Sequence, residues 1–173
     1  MLRAAVEVRR QIPQVRFQIL GAVSDPAYFD RCAAFVAHHD LQATVEFGEA
    51  GDSAEAYRRA DVMCLPSVTE AMPYSVLEAM FSLCPVVASD VGGIAEILAG
   101  AGVLVRPGDA SGLAQALTFL LSAGAEHRAQ LAAKALERAR QNYTLQQLAS
   151  RFEEIYCNLT YEQPREQLAQ AAS

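Results

Sequence analysis

Short apolar runs alternate along the chain with segments whose apolar residues recur at helical spacing. Runs such as Val62–Leu65 and Pro85–Ser89 are almost wholly apolar, which is typical of strands buried on both faces of a sheet. The predicted strands cover residues 15–20, 44–47, 62–65, 85–89 and 103–105. The predicted helices cover 2–11, 26–39, 53–60, 72–83, 94–98, 111–122, 125–141 and 145–159. This alternation predicts an α/β fold, a doubly wound and mostly parallel sheet of the Rossmann-like kind with additional C-terminal helices.

Capping residues support several of these boundaries. Asp25 followed by Pro26 is typical of a helix start, and Ser53 is the predicted N-cap of the next helix. Residues 1–141 are predicted to form one Rossmann-like domain, 142–160 a C-terminal helix, and 161–173 a loose polar tail. In such sheets the ligand lies beyond the carboxyl ends of the strands. The loops after Leu65 and Ser89 should therefore share one crevice.

The first of these loops begins the string PSVTEAMPYSVLE, residues 66–78, with Glu70 before a helix start and Glu78 inside the helix. The first turn between them is predicted to consist of Met72, Pro73, Tyr74, Ser75 and Val76. Free N–H groups at a helix start attract an anion. This layout predicts a ligand with a diphosphate in its middle and a hydroxyl-bearing ring at each end, such as a sugar nucleotide.

Structural interpretations compete with that hypothesis. Ser75 and Glu78 match a capping box, and Glu70 by itself is an ordinary loop carboxylate. The functional interpretation gives the ribose hydroxyls to Glu78 and the transferred sugar ring, or the charge near its anomeric carbon, to Glu70. Gly92 and Gly93 similarly predict either a second helix start aimed at the crevice or an ordinary turn.

Charge and cysteine usage exclude other classes of function. The net charge is −6 and the pI about 5.0, so nucleic acid is not expected as a partner. None of the four cysteines forms a C-x-x-C pair or stands near a histidine at zinc spacing, so no metal site is predicted and a reducing, cytoplasmic location is favoured. No apolar run reaches the ~18–20 residues that cross a membrane, and the charged N-terminus is unlike a signal peptide.

Three strings together are much more specific than any single motif. They are ADVMCLPSVTEAMPYSVLEAM at 60–80, PVVASDVGGIAEIL at 85–98 and AGVLVRPGDASGLAQAL at 101–117. In this order the chain resembles the C-terminal, donor-binding half of GT-B-fold glycosyltransferases of the retaining group-1 family. The resemblance implies that a sugar passes from a UDP-, GDP- or ADP-sugar to an unknown acceptor with retention of configuration. It implies no cofactor and no obligatory metal.

The resemblance also assigns residues, because the family's E-x7-E pair falls on Glu70 and Glu78. It makes Glu70 the catalytic candidate at the donor sugar. The donor-binding set that it implies is Gly48, which lines the base site, together with Ala71, Met72, Pro73, Tyr74, Ser75, Val76 and Glu78. Ala71 and Leu83 stand where the family usually has glycine. We expect Ala71 either to be tolerated or to reshape the sugar pocket, and Leu83 to bring either strain or a different C-cap at the end of its helix.

The family's donor domain usually opens with a strand and a loop that carries an arginine and a lysine for the diphosphate, and Met1 falls in the helix after that loop. We therefore expect the strands near Val15 and Val62 either to flank a gap or to pair directly, and the chain to be a fragment or one half of a split enzyme. The implied partners are the nucleotide sugar and an N-terminal acceptor domain or partner chain, with a peripheral membrane contact through the acceptor. A non-catalytic nucleotide-binding or interaction module is the alternative. A sugar-nucleotide epimerase is weaker, because no acid–base cluster is evident.

Overall fold

Helices and strands alternate as the sequence predicts in the computed structural model, which describes residues 1–49 and 51–161. The strands are β1 (Phe17–Leu20), β2 (Val45–Gly48), β3 (Met63–Leu65), β4 (Val86–Ser89) and β5 (Val103–Val105). The helices are α1 (Leu2–Gln11), α2 (Pro26–His38), α3 (Ser53–Arg59), α4 (Tyr74–Phe81), α5 (Ile94–Leu98), α6 (Ala110–Ser122), α7 (Gly124–Asn142) and α8 (Leu145–Tyr161). The predicted loose tail lies outside the described residues except for Tyr161, which ends α8.

The strands form two separate parallel sheets. One contains β1 and β2, with Phe17 opposite Val45, and the other has the order β3-β4-β5, with Met63 opposite Val86. The α/β class with parallel strands is confirmed. The single continuous sheet is not observed, because β1 and β3 are not paired with each other. Of the two alternatives predicted for these strands, the gap is correct and direct pairing is wrong.

Apolar residues on both faces of β4 explain the doubly wound arrangement. On one face, Val86 belongs to a cluster, here called the α4 cluster, that α4, α5 and α7 complete. On the other face, Val87 packs in a cluster built by α1 and α6. A third cluster joins α1 and α2 to the two-stranded sheet through Ala5, Val36 and Val45. Because α1 contributes to the second and third clusters, it connects the two sheets without hydrogen bonds between strands.

Side-chain caps define several of the helix starts. The Asp25 carboxylate accepts from the Tyr28 N–H at 3.0 Å with Pro26 in the first turn, as predicted. The prediction that Ser53 caps α3 is wrong. Asp52 is the cap, because its carboxylate accepts from the N–H groups of both Ala54, at 2.9 Å, and Glu55, at 3.2 Å. Ser53 is instead the first helical residue.

The last helix has an apolar stripe with little cover. Its apolar residues Leu145, Leu148, Phe152, Ile155 and Leu159 are each at least 50% exposed. Their spacing of three and four residues places them along one side of α8. Among the described residues, no helix combines the length and the apolar character that a bilayer crossing requires.

Candidate functional site

The candidate site is the loop between β3 and α4. Pro66 follows β3 directly, and the chain reaches the helix through Pro73, which is the N-cap with φ −74° and ψ 118°. The prediction that Met72 and Pro73 belong to the first helical turn is therefore wrong. The φ of proline suits a helix, but the extended ψ places Pro73 before the helix, which begins at Tyr74.

The start of α4 is open to solvent and has no side-chain cap. Ala71, Met72 and Tyr74 are exposed, with Tyr74 at 78%, whereas Pro73 is buried. Val76 lies in the core with 0% exposure, and its N–H donates to the Pro73 carbonyl at 3.2 Å. The N–H groups of Tyr74 and Ser75 precede that bond, so they are the amides that the helix geometry leaves for an external acceptor.

Each of the two carboxylates is held by a hydroxyl group. The Ser67 hydroxyl donates to Glu70 Oε1 at 2.8 Å, and the Tyr57 hydroxyl donates to Glu78 Oε2 at 3.3 Å. The capping-box interpretation is wrong, because Ser75 is the second residue of α4 rather than its cap. Glu78 is exposed and Glu70 is half-buried.

The two glycines after β4 support this loop. Gly92 has φ +54°, and a Cβ placed there would lie 2.0 Å from the Glu70 carbonyl oxygen. The Gly93 N–H donates to the Ala71 carbonyl at 2.8 Å. The loops after β3 and β4 therefore lie side by side, as the sequence predicts. The two glycines therefore let their own backbone pack closely against the backbone of Glu70 and Ala71. The sequence interpretation missed this role.

A larger cavity of about 1250 Å³ opens at the carboxyl ends of both sheets. Its wall includes Gly48 and Phe47 from the end of β2, Pro66 after β3 and Ser89 from β4. Gly48 is the one member of the predicted donor-binding set on this wall, and residues 70–78 lie outside it. The structure thus places Gly48 in the cavity and the E-x7-E pair at an exposed helix start, and Pro66 connects the two regions.

Charged side chains around the cavity are mixed in sign. Three arginines that the sequence analysis did not assign to a site, namely Arg3, Arg31 and Arg106, lie on its wall with Asp25, Glu49 and Asp109. Asp25 and Asp109 cap helices with their carboxylates. The charges of these six side chains therefore cancel, and of the three arginines Arg106 directly follows a strand, β5.

Burial shifts the pKa of nearby groups that could be nucleophiles. The pKa of Tyr57 is raised to about 12, first because its phenol is partly buried and then because of the charge and the hydrogen bond of Glu78. Burial raises the pKa of the Cys64 thiol to about 12 and that of Cys84 to about 11. All three groups are therefore protonated at neutral pH and do not act as nucleophiles there.

Comparison with known proteins decides the family. The family model described as "Glycosyl transferases group 1" matches residues 1–123. The chain belongs to this family. The family expected from the three sequence strings is thereby confirmed.

Individual relatives agree with this assignment. A D-inositol 3-phosphate glycosyltransferase of Stackebrandtia nassauensis is 33% identical to this chain over 134 residues. These residues are 73% of this chain and 30% of the relative. The structure of sucrose-phosphate synthase from Thermosynechococcus elongatus has 29% identity and a TM-score of 0.79, with 92% of this chain and 42% of that one covered. The structure of Anabaena HepE in complex with UDP has 23% identity and a TM-score of 0.79, with 90% of this chain and 44% of HepE covered. The chain thus spans less than half the length of these relatives.

Leu83 at the end of α4 and Ala71 before its start are the two positions where this chain departs from the glycine that is usual in the family. Leu83 has φ +56°, the left-handed conformation expected at a position where the family usually has glycine. The Cys84 N–H bonds the Ala79 carbonyl at 2.9 Å and the Leu83 N–H bonds the Met80 carbonyl at 3.3 Å, which together form a Schellman motif. The helix therefore ends in the usual way, but with a strained leucine. Ala71, the other position where the family usually has glycine, is exposed.

Proposed function

We propose that this chain is the donor-binding half of a glycosyltransferase that moves a sugar from a nucleotide sugar to an acceptor with retention of configuration. One observation carries the proposal: an uncapped, exposed helix start lies between two carboxylates, each already oriented by a hydroxyl group. An anionic diphosphate fits the helix start, and hydroxyl-bearing rings fit the carboxylates on either side.

The roles follow from position. The N–H groups at the start of α4 would receive the diphosphate, with a dipole contribution of about 0.3–1 kcal/mol when exposed and up to about 2 when partly buried. Glu78 would accept bonds from the ribose hydroxyls. Glu70, on the loop side, would contact the transferred sugar and stabilise positive charge near its anomeric carbon. The proposal needs no cofactor.

Catalysis on this proposal comes from positioning and electrostatics. The helix start stabilises the diphosphate as it leaves the anomeric carbon, and an acceptor hydroxyl from outside the chain takes its place. Ser67 and the Gly92–Gly93 turn fix the loop on which Glu70 stands, so the carboxylate is oriented before the donor arrives. Orientation before binding lowers the entropy that is lost in the complex.

The gap between the two sheets indicates that a further strand pairs with this chain. Phe17 of β1 and Cys64 of β3 border the same apolar cluster as Val8 of α1, yet the two strands are not paired. We propose that the strand with which the family's donor domain usually opens, within the same polypeptide or on a partner chain, occupies this gap and pairs with both edges. The acceptor, and any membrane contact that it brings, belongs to a separate acceptor domain. The unpaired thiols of Cys32, Cys64 and Cys84 favour the cytoplasm as the location.

Binding measurements test the donor assignment. UDP, GDP and ADP are titrated into the 173-residue chain and followed by ligand-observed NMR, which detects millimolar affinity. UDP is the first probe because HepE, which shares the fold, was solved with it. We expect Glu78→Gln to weaken the preferred nucleotide about tenfold or more, the range for a lost bond to a charged group. Glu126→Gln, an exposed carboxylate of α7, is the matched control.

Two results separate the proposal from its alternative. If the wild type and Glu78→Gln bind every nucleotide equally, or none binds, the donor assignment is refuted. The alternative is a non-catalytic nucleotide-binding or interaction module, and the mixed charge of the cavity wall is consistent with the weak nucleotide binding that such a module would show. Such a module would bind nucleotide without releasing sugar from UDP-glucose, GDP-mannose or ADP-glucose when the acceptor half is supplied.

A further inference from the structure

We propose that Tyr57 is a positioning residue, which holds the Glu78 carboxylate in the orientation that a nucleotide ribose requires. The inference rests on the proposed function and adds a residue that lies outside the E-x7-E string. Its basis is the contact between α3 and α4, where the Tyr57 hydroxyl donates to Glu78 Oε2 at 3.3 Å. Tyr57 is half-buried and Glu78 is exposed, so the tyrosine is the better anchored of the two side chains.

Local structure fixes Tyr57 on both sides. Asp52 caps the start of α3, and the Ala60 N–H bonds the carbonyls of Ala56 and Tyr57 where the helix ends. The Tyr57 ring packs against the buried α4 cluster. Since this cluster includes Val76 of α4, the phenol is held against the helix that carries Glu78. Its hydroxyl can therefore act as a fixed point for a carboxylate that is otherwise open to solvent.

The chemistry of the pair suits a permanent donor and acceptor. The pKa of Tyr57 is raised to about 12 by burial and by Glu78, so the phenol keeps its proton at physiological pH. A carboxylate has about four lone-pair sites, and the phenol occupies one of them. The remaining sites can accept from two vicinal hydroxyls. Because the phenol already holds the Glu78 side chain in one rotamer, that side chain loses less conformational entropy when the ligand binds.

The test compares ligands with and without ribose hydroxyls. UDP and 2′,3′-dideoxy-UDP are titrated into the wild-type chain, Tyr57→Phe and Glu78→Gln. We expect Tyr57→Phe to weaken UDP about three- to tenfold, as for one hydrogen bond that orients a charged group, and to leave dideoxy-UDP unchanged. Tyr143→Phe is the matched control, because Tyr143 packs against the same cluster and its hydroxyl donates to the Glu96 carbonyl at 3.4 Å.

The outcomes distinguish this inference from the proposed function. If Glu78→Gln does not reduce the preference for UDP over dideoxy-UDP, or if the wild type does not bind UDP, both are overturned. If Glu78→Gln reduces that preference but Tyr57→Phe does not, this inference alone fails. A purely structural role for Tyr57 would weaken both ligands equally or neither.

A second measurement tests the contact without any ligand. The absorbance of tyrosinate is followed through an alkaline titration, and the Tyr57→Phe spectrum is subtracted to isolate Tyr57. In the wild type we expect its pKa at about 12, raised first by burial and then by Glu78, and in Glu78→Gln a lower pKa, because the neutral amide removes the charge of the carboxylate while the burial remains. An identical titration in both proteins would show that the phenol and Glu78 do not interact, and would overturn the inference.

Discussion

Replacing Gly92 by alanine should disturb the loop that carries Glu70 without touching either carboxylate. A Cβ at Gly92 would lie 2.0 Å from the Glu70 carbonyl oxygen, 2.8 Å from its carbonyl carbon and 3.0 Å from the Ala71 oxygen. All three contacts are with backbone atoms, so no side-chain rotation can relieve them. The residue must also keep φ near +54°, which is unfavourable for alanine.

The expected loss of stability combines three contributions. The left-handed conformation costs about 1–2 kcal/mol for a residue with a Cβ. The clash resembles overpacking, which costs about 1–3 kcal/mol. Alanine lowers the entropy of the unfolded chain relative to glycine and restores about 0.4–1 kcal/mol. The net effect on the free energy of unfolding is a loss of about 1–4.6 kcal/mol, which for a chain of this size lowers Tm by about 2–18 °C.

Differential scanning calorimetry of the chain measures this effect, and Gly124→Ala is the matched control. Gly124 has φ +87°, and apart from its chain neighbours and the backbone of its own helix no atom of the described residues lies within 4 Å of the position that a Cβ would take, so its substitution reports mainly the conformational strain. We expect Gly124→Ala to lower Tm by no more than about 4 °C. If Gly92→Ala costs no more than Gly124→Ala, the Gly92 turn does not support the Glu70 loop. Amide chemical shifts of Glu70 and Ala71 should change only in Gly92→Ala.

Three further predictions follow from single contacts. Ser67→Ala removes the 2.8 Å bond to Glu70 and should slow sugar transfer by the complete enzyme about three- to tenfold, with nucleotide affinity unchanged. Equal transfer rates of the variant and the wild type would exclude an orienting role for Ser67. Leu83→Gly should be more stable than Leu83→Ala by about 1 kcal/mol in urea unfolding, because both lose the side chain and only alanine keeps the strain of φ +56°. The raised pKa of Tyr57 stabilises the folded state below pH 10, and this contribution disappears as the pH rises towards 12. Wild type should therefore lose more stability than Tyr57→Phe between those pH values, and parallel curves would contradict this.

Local sequence patterns predicted most of the fold. Strand and helix periods and the turn chemistry at Asp25 and Pro26 placed all the elements in the correct order, because these features depend on residues close together in the chain. Helix starts were less certain where two capping residues are adjacent. Asp52 and Ser53 are both suitable caps, and only the reach of the Asp52 carboxylate to two N–H groups distinguishes them.

Contacts across the fold explain what the sequence could not reveal about the site. The Tyr57–Glu78 bond joins residues 21 positions apart, and Gly92 meets the Glu70 backbone from a different strand end. Neither spacing corresponds to a helix or strand period, so no pattern in the chain points to either contact. A tyrosine in a short helix and a pair of glycines in a turn are ordinary features until the fold brings them to the carboxylates.

The gap between β1 and β3 shows how the site and the partner depend on each other. Gly48 ends β2 in one sheet, and the loop that carries Glu70 follows β3 in the other sheet. A donor that reaches from Gly48 to Glu78 must therefore pass the carboxyl end of that gap. A strand placed in the gap would end at the same edge of the sheet, since parallel neighbours end together, and its following loop would close the space between the two regions. The nucleotide affinity of the chain should consequently rise when that strand and its following loop are supplied, and an unchanged affinity would show that the donor site is complete without them.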